Sequence, residues 1–340
     1  MKTIKVIKPG EVIVCEKKLD SKINPNELLI KMKAVGICGS DMHIYNGKSA
    51  FAVYPNIMGH ELAGEVYAIG EHVEEFKIGD KVVINNVLSC GHCFACRKGQ
   101  PNVCREVKVL GVHVEGGFQE FIKVKKESAF KISRDISWDI AATVEPYAIA
   151  AEVVERGKLS KIDTVLICGA GPLGLIIMQV VKMFGNKVIM LDINQKRLDI
   201  ARELGSDIVI NTAHQEAVKV IMENTDNEGA SLIIEATGNT KVLEQCVSEY
   251  VSQAGKIVVL GFSKNNISIS PFDIMRRELE IIGSRLNNNK FPTVIEWLEK
   301  GVIDPRKIIT NKFHFTQAKE AFDFINEQPE QVIKVILEFD

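Results

Sequence analysis

The spacing of apolar residues changes character along the chain. Up to about residue 148, short β-rich runs are separated by turn residues such as Gly79-Asp80 and Gly116-Gly117. This pattern predicts a mostly antiparallel, barrel-like domain. Its predicted strands are Glu27–Val35, Glu61–Ile69, Lys81–Asn85 and Gln119–Val124.

From Asp163, short apolar runs alternate with amphipathic helical segments, such as Gln195–Leu204 and Thr240–Val251. Runs without a polar face are typical of parallel strands that are covered by helices on both sides. Six such strands complete a doubly wound α/β sheet. They are Thr164–Cys168, Lys187–Asp192, Ile208–Asn211, Ser231–Ala236, Lys256–Phe262 and Leu279–Gly283.

The segment after about Lys290 is too small to fold alone. Its pattern predicts, in order, a helix, a strand, a helix and a strand: Phe291–Lys300, Lys307–Phe313, Thr316–Asn326 and Gln331–Phe339. We expect this segment to return and complete the N-terminal domain. The predicted domains are therefore residues 1–148 with 287–340, and residues 149–286.

Composition and charge limit the partners. The 340 residues are 46% hydrophobic and 25% charged, and 42 basic against 44 acidic residues give a net charge of −2. This balance lacks the electrostatic footprint of a protein that binds nucleic acid or an anionic membrane. The longest apolar stretch, Leu173–Val181, is interrupted by Gln179 and falls short of the roughly 20 residues of a membrane span. We expect a cytoplasmic protein with a small-molecule substrate.

A glycine-rich turn follows the first of the six parallel strands. Its sequence, Gly169-Ala170-Gly171-Pro172-Leu173-Gly174, has the spacing G-x-G-x-x-G between a strand and a helix. Such glycines permit a tight turn, backbone approach to a pyrophosphate and close packing of helix on strand. The motif alone is weak, because an ordinary glycine turn can have the same spacing. In this context it predicts a dinucleotide site.

Asp192 strengthens the dinucleotide prediction. It ends the next strand, eighteen residues after Gly174, where a carboxylate binds the adenosine ribose hydroxyls. A carboxylate there repels a 2′-phosphate, so NAD is favoured over NADP. Arg197 is near enough in sequence to keep NADP open. The alternative for Asp192 is a capping role for the helix that starts near Asn194.

Four of the eight cysteines lie within fifteen residues: Cys90, Cys93, Cys96 and Cys104. Four thiolates in one loop can close a tetrahedron around zinc with no open position, which predicts a structural zinc site. An iron–sulfur cluster uses the same ligand type, but the flanking sequence argues against it. Four free thiols are the other alternative. Without a secretory signal, a disulfide framework is not expected.

A second set of metal-binding side chains is dispersed. Cys38 lies in Gly36-Ile37-Cys38-Gly39-Ser40-Asp41-Met42-His43, His60 and Glu61 are adjacent, and Glu145 follows Val144. None of these residues is persuasive alone, because a single cysteine or histidine is more often structural.

Together these motifs resemble a known family. Gly59-His60-Glu61-x2-Gly64-x5-Gly70-x2-Val73 resembles the signature of the zinc-containing medium-chain dehydrogenases. The four-cysteine loop, the Cys38 motif and the glycine-rich turn occur in the family's order, and the resemblance covers essentially the whole chain. It implies a GroES-like β-barrel catalytic domain, a Rossmann domain, NAD, and two zinc ions per chain, one catalytic and one structural.

Within the family, the chain is similar to the polyol and threonine dehydrogenase branch. This similarity implies Cys38, His60 and Glu61 as ligands of the catalytic zinc, with Glu145 as a carboxylate that can approach or exchange onto the metal. Ethanol-type enzymes use a second cysteine instead, and no cysteine occurs between Cys104 and Cys168.

The resemblance also implies a proton relay. Ser40 and His43 match the family's relay, although a surface histidine is the alternative for His43. Asp41 is expected to order the loop.

Three stretches are similar to the RspB-like group, which includes L-gulonate, L-galactonate and L-idonate 5-dehydrogenases: Leu110–Phe118, Glu145–Ala150 and Ser284–Pro292. They imply oxidation of the C5 hydroxyl of a six-carbon sugar acid. Arg285 is then a candidate for the substrate carboxylate and His113 for the pocket lining, and a surface or loop-packing role is equally open for each.

Three alternatives remain open. L-threonine 3-dehydrogenase and a sorbitol-type polyol dehydrogenase fit the Cys38 motif equally well. A non-catalytic NAD-binding sensor could have kept the fold without the chemistry. Relatives in this branch are commonly dimers or tetramers, so we expect a homo-oligomer.

Overall fold

The computed structural model describes residues 1–49 and 52–340. The described chain divides into two compact units. The first comprises Met1–Ala148 and Leu286–Asp340, and the second comprises Ile149–Arg285.

The N-terminal part of the first unit is rich in strands. Its elements are β1 (Lys2–Lys8), β2 (Glu11–Glu16), β3 (Glu27–Ile37), α1 (Gly39–Tyr45), β4 (Glu61–Ile69), β5 (Lys81–Ile84), β6 (Val87–Leu88), α2 (Phe94–Arg97), β7 (Lys108–Val109), β8 (Phe121–Lys125), β9 (Ala129–Lys131), α3 (Trp138–Ala142) and α4 (Val144–Arg156), in which the unit ends. The β1–β2 hairpin lies outside the predicted strands. Lysines interrupt its apolar residues, yet Ile4 and Val6 are buried.

The second unit alternates strands and helices. Its elements are β10 (Thr164–Cys168), α5 (Pro172–Met183), β11 (Lys187–Asp192), α6 (Gln195–Glu203), β12 (Ile208–Asn211), α7 (Ala217–Glu223), β13 (Ala230–Glu235), α8 (Thr240–Gln245), β14 (Val251–Val259), α9 (Pro271–Arg277) and β15 (Glu280–Gly283). The strands pair in parallel in the order β12-β11-β10-β13-β14-β15. This order confirms the predicted doubly wound α/β sheet.

One predicted helix of the second unit is shorter than expected. The segment predicted as Thr240–Val251 is α-helical only to Gln245, continues as a π-helical turn at Cys246–Tyr250, and enters β14 at Val251. The buried guanidinium of Arg277 donates to the carbonyls of Val247 and Val251. These bonds satisfy carbonyl groups where the regular α-helix is interrupted.

The C-terminal part of the chain completes the main sheet of the first unit. Its elements are α10 (Phe291–Glu299), β16 (Ile309–His314), α11 (Ala318–Glu327) and β17 (Lys334–Glu338). β17 pairs antiparallel with β3 and parallel with β16. The strand order of the sheet is β16-β17-β3-β4-β5-β9, and β8 also pairs with β3. The sheet is therefore mixed. Its core includes Leu28, Met32, Val35, Phe118 and Phe322, all fully buried.

Within the described residues, no helix has the length and apolar character needed to cross a membrane.

Candidate zinc and dinucleotide sites

Three side chains with different donor atoms converge at one end of the β3–β4 pair. Cys38 follows β3 and caps the start of α1, while His60 and Glu61 stand where β4 begins. In the antiparallel register, Glu61 lies opposite Gly36. This pairing brings the donor atoms of Cys38, His60 and Glu61 within 4.8 Å of one another.

The chemistry of this triplet fits zinc. Zinc in proteins is bound by cysteine sulfur, histidine nitrogen and carboxylate oxygen, and three protein ligands leave a fourth position open. Among the described residues, the buried Glu61 Oε2 has no hydrogen-bond partner, whereas His60 Nδ1 faces the Asp41 carboxylate. Because buried polar atoms are normally satisfied, the unpartnered Glu61 Oε2 is suited to bind a metal ion.

Asp41 orders the loop that carries the triplet, as expected. Its fully buried carboxylate accepts hydrogen bonds from the Cys38 amide at 2.8 Å and the Gly59 amide at 3.4 Å. It also lies 3.5 Å from His60 Nδ1. Burial lowers the pKa of His60, but Asp41 and Cys38 more than offset it and hold the pKa well above its ordinary value. Carboxylates beside a metal-binding histidine typically fix the orientation of its ring.

The two predicted relay residues occupy different environments on α1. Ser40 Oγ lies 3.4 Å from His60 Nε2, so the structure brings this hydroxyl to the triplet. His43 lies on the exposed side of the same helix.

Glu145 lies near the triplet without belonging to it. It is 5% exposed in the first turn of α4, and its Oε1 accepts a hydrogen bond from Asn86 Nδ2 at 2.9 Å. Burial raises the pKa of Glu145 to about 7, with a further increase from Glu61, while His60, Asn86 and Lys334 lower it. Asn86 was not among the predicted site residues, and a lone asparagine after a strand carries no sequence signal.

Lys334 is the second residue that the sequence did not indicate. It begins β17, is 3% exposed, and its Nζ lies 2.5 Å from Glu61 Oε1. Burial lowers the pKa of Lys334, but Glu61 and Cys38 raise it more, so the net shift is upward. The only sequence signal is a lysine inside the apolar run Val332–Leu337.

Gly36 is expected to be essential for the position of Glu61. A Cβ at Gly36 would collide with Glu61 Oε2, so Gly36→Ala should displace the carboxylate. We expect zinc content to fall from two ions per chain toward one, and turnover to drop by roughly 10- to 100-fold, the range for a disturbed ligand shell. Metal analysis and NAD reduction measure both effects. The matched control is Gly283→Ala, where a Cβ meets nothing within 4 Å. Two retained zinc ions with full turnover in Gly36→Ala would refute this role.

The four clustered cysteines form a compact thiol group. Their sulfur–sulfur distances include 3.5 Å for Cys93–Cys96, 3.8 Å for Cys93–Cys104 and 3.5 Å for Cys90–Cys104. A tetrahedron with Zn–S bonds of about 2.3 Å has edges of about 3.8 Å. Backbone amides donate to the sulfurs, and those of Cys96 and Arg105 lower the pKa of Cys93 to about 6. The group fits a closed zinc site.

The glycine-rich turn has the geometry that its sequence predicts. Gly169 has φ +106°, which favours glycine, and a Cβ at Gly174 would collide with the Gly169 carbonyl. A Cβ at Gly171 would meet no protein atom within 4 Å, and Pro172 begins α5. The helix N-terminus and the open backbone beside it suit a phosphate.

Asp192 contacts this turn directly. Its Oδ2 accepts a hydrogen bond from the Ala170 amide at 2.7 Å, and its Oδ1 accepts one from the Asn194 amide at 2.9 Å. Asn194, and not Asp192, caps α6 by accepting from the Arg197 amide.

The two candidate substrate residues lie on the surface. His113 is exposed, accepts a hydrogen bond from the Val109 amide at 3.1 Å, and lines a cavity of about 690 Å³ in the first unit. Arg285 is exposed at the end of the second unit.

Comparisons with known proteins identify the family. Residues 24–134 match the alcohol dehydrogenase GroES-like domain, and residues 172–300 match the zinc-binding dehydrogenase domain. The chain is 40% identical to the starvation-sensing protein RspB of Escherichia coli K12, over 100% of this chain and 99% of RspB. The chain belongs to the zinc-type alcohol dehydrogenases. It is also 34% identical to a sorbitol dehydrogenase of Bacillus subtilis, over 93% of this chain and 91% of that enzyme.

Solved structures of family members share this fold. An RspB protein from Escherichia coli CFT073, complexed with NADH, superimposes with a TM-score of 0.94 at 39% identity, covering 100% of this chain and 99% of that one. An L-idonate 5-dehydrogenase from Escherichia coli superimposes with a TM-score of 0.91 at 27% identity, covering 99% and 98%. Family membership confirms the predicted oxidoreductase class and makes zinc and a nicotinamide dinucleotide the expected cofactors.

Proposed function

We propose that this chain is a zinc-dependent, NAD-linked dehydrogenase that oxidises the C5 hydroxyl of a hexonate such as L-gulonate to a ketone. The observation that carries the dehydrogenase assignment is the convergence of Cys38, His60 and Glu61, with the buried Glu61 Oε2 lacking a hydrogen-bond partner among the described residues. The hexonate assignment rests on the three stretches shared with the RspB-like group and on the likeness to an L-idonate 5-dehydrogenase.

In this proposal the triplet holds the catalytic zinc. A zinc ion held there supplies a Lewis acid that lowers the pKa of the substrate hydroxyl toward neutrality. Ser40 is the group that receives the hydroxyl proton, as the family resemblance implies, and its Oγ lies near the triplet, 3.4 Å from His60 Nε2. His43, further along α1, is the relay group from which that proton reaches solvent. Glu145, held by Asn86, is the alternate carboxylate for the metal.

The cofactor is NAD. Gly169, Gly171, Pro172, Leu173 and Gly174 form its pyrophosphate site in this proposal. The Asp192 carboxylate accepts hydrogen bonds from the ribose hydroxyls and repels a 2′-phosphate. Arg197 lies on the adjacent helix, α6. Cys90, Cys93, Cys96 and Cys104 hold the second, structural zinc.

Substrate preference tests the hexonate proposal. We expect NAD reduction with L-gulonate or a related hexonate to exceed that with sorbitol or L-threonine by at least about tenfold in kcat/KM, because losing one charge-assisted contact to a carboxylate costs about 1.5–3 kcal/mol. A panel of hexonates, polyols and amino acids, assayed with NAD and with NADP, measures this preference. The Arg285→Gln and His113→Ala variants test whether either side chain contributes. Equal or better turnover of the neutral polyol would exclude a sugar acid as the substrate.

A polyol substrate is the second candidate. It is favoured by the 34% identity with a sorbitol dehydrogenase over most of the chain. A non-catalytic NAD-binding sensor is disfavoured, because Cys38, His60, Glu61 and Ser40 are all present and lie together.

We also propose that the chain forms a homo-oligomer, a dimer or a tetramer. β15 is an outer strand of its sheet, and Ile281 on it is exposed. Phe272 and Met275 on α9 are 61% and 66% exposed. An open strand edge and exposed apolar side chains both suit pairing with a second copy.

A further inference from the structure

The ion pair between Lys334 and Glu61 spans three strands of the first unit. Lys334 begins β17, Glu61 begins β4, and β3 lies between them in the sheet. Gly36 on β3 is opposite Glu61 on one side and Ile336 on the other. Because Gly36 has no side chain, the carboxylate can lie over β3, where a Cβ would collide with it. Lys334 reaches it across the same strand and also donates to the Ile37 carbonyl at 3.3 Å.

The two oxygens of Glu61 have different environments. Oε1 is held by Lys334 Nζ at 2.5 Å, whereas the buried Oε2 has no hydrogen-bond partner among the described residues. One oxygen is therefore bound by the protein's own cation, and the carboxylate retains a free acceptor atom beside Cys38 and His60.

A buried cation next to a zinc site opposes metal binding. Like charges repel strongly where water is excluded, and Lys334 is almost completely buried. An ammonium group that competes with a metal for the same carboxylate weakens the hold of that carboxylate on the metal. The ammonium group of Lys334 is therefore expected beside a carboxylate that leaves the metal during turnover. It is not expected beside a carboxylate that stays bound to the metal.

We propose that Lys334 is a positioning residue that holds Glu61 as an exchangeable zinc ligand, by giving the carboxylate an alternative partner when it leaves the metal. This inference rests on the proposed zinc site at Cys38, His60 and Glu61. Without Lys334, the ion pairs of the described residues leave Glu61 no cationic side chain as a partner, so the carboxylate would stay on the zinc.

The variant Lys334→Met tests this role in the zinc-loaded protein. We expect zinc transfer from the catalytic site to a chromogenic chelator to slow by at least about tenfold, because the repulsion is removed. The rise in the unfolding midpoint on adding zinc should exceed that of the wild type. With hexonate and NAD, kcat should fall about tenfold while the Kd for NAD is unchanged. Lys334→Arg, which restores a cation, should return all these values toward those of the wild type.

Three further variants make the comparison specific. Lys81→Met removes another buried lysine of the first unit, whose Nζ lies 3.9 Å from the Trp138 ring centre, and should release zinc like the wild type. Cys38→Ser is expected to keep only the zinc at the four cysteines. Its release curve therefore shows how fast zinc leaves the four-cysteine site. If Lys334→Met fails to fold, Lys334→Gln keeps a donor for Glu61 without the charge and is expected to show the same slower release.

The proposal would be overturned if the folded neutral variant, Lys334→Met or Lys334→Gln, released zinc from the catalytic site as fast as the wild type or faster. Lys334 would then have a merely structural role. A wild-type chain that holds only the four-cysteine zinc would instead overturn the proposed function itself.

Discussion

Replacing Cys38 by serine or His60 by alanine is expected to reduce NAD reduction by roughly a thousandfold or more. Polarisation of a substrate oxygen by zinc contributes several kcal/mol of transition-state stabilisation, and each 1.36 kcal/mol corresponds to a factor of ten in rate. Both residues supply donor atoms to the compact triplet, so loss of either leaves the metal with two protein ligands. Steady-state turnover with the best hexonate measures the effect.

NAD binding provides the control for this prediction. The glycine-rich turn and Asp192 belong to the second unit, whereas Cys38 and His60 belong to the first. The Kd for NAD in the two variants should therefore stay within about threefold of the wild-type value. Cys15→Ser, at a half-buried cysteine on β2, is the matched cysteine control and should keep full activity. Activity within tenfold of the wild type in Cys38→Ser would exclude this residue as a ligand of the catalytic zinc.

Replacing Cys104 by serine is expected to lower the unfolding midpoint by about 10 °C. Structural zinc contributes folding free energy directly, and a loss of several kcal/mol shifts the midpoint by about 2–4 °C per kcal/mol for a unit of this size. Cys104 is 3% exposed, and its sulfur contacts those of Cys90 and Cys93. Differential scanning calorimetry, together with zinc content, measures the effect.

The same Cys15→Ser variant is the control for stability. It removes a thiol outside the cluster and should leave both zinc content and the unfolding midpoint unchanged. An unchanged midpoint in Cys104→Ser, with two zinc ions retained, would show that the four thiols do not hold a metal.

The parallel sheet was predictable because its strands are buried on both faces. The predicted bounds of Thr164–Cys168, Lys187–Asp192 and Ile208–Asn211 agree with the structure residue for residue. The β1–β2 hairpin was not predictable in the same way, because its alternating lysines hide Ile4 and Val6 from a search for apolar runs. At the early end of the Thr240 helix, Arg277 donates to the Val247 carbonyl across 30 residues of sequence, a contact that no local pattern indicates.

The donor residues of the triplet were named from a family resemblance, since Cys38 and His60 are too far apart in sequence for spacing alone to join them. Their roles remain predictions, although the structure brings their donor atoms together. The partners of the two carboxylates were not predictable. Lys334 is 273 residues from Glu61 and meets it only through the register of β17, β3 and β4. Asn86 meets Glu145 across 59 residues.

Anomalous X-ray diffraction at the zinc absorption edge tests the central claim most directly. We predict two zinc peaks per chain in crystals of the zinc-loaded protein. One should lie within about 2.0–2.3 Å of Cys38 Sγ, a His60 ring nitrogen and an oxygen of Glu61 or Glu145, and the other among the four clustered cysteines. A single peak at the four cysteines, with Cys38 and His60 free of metal in an active enzyme, would contradict the zinc mechanism.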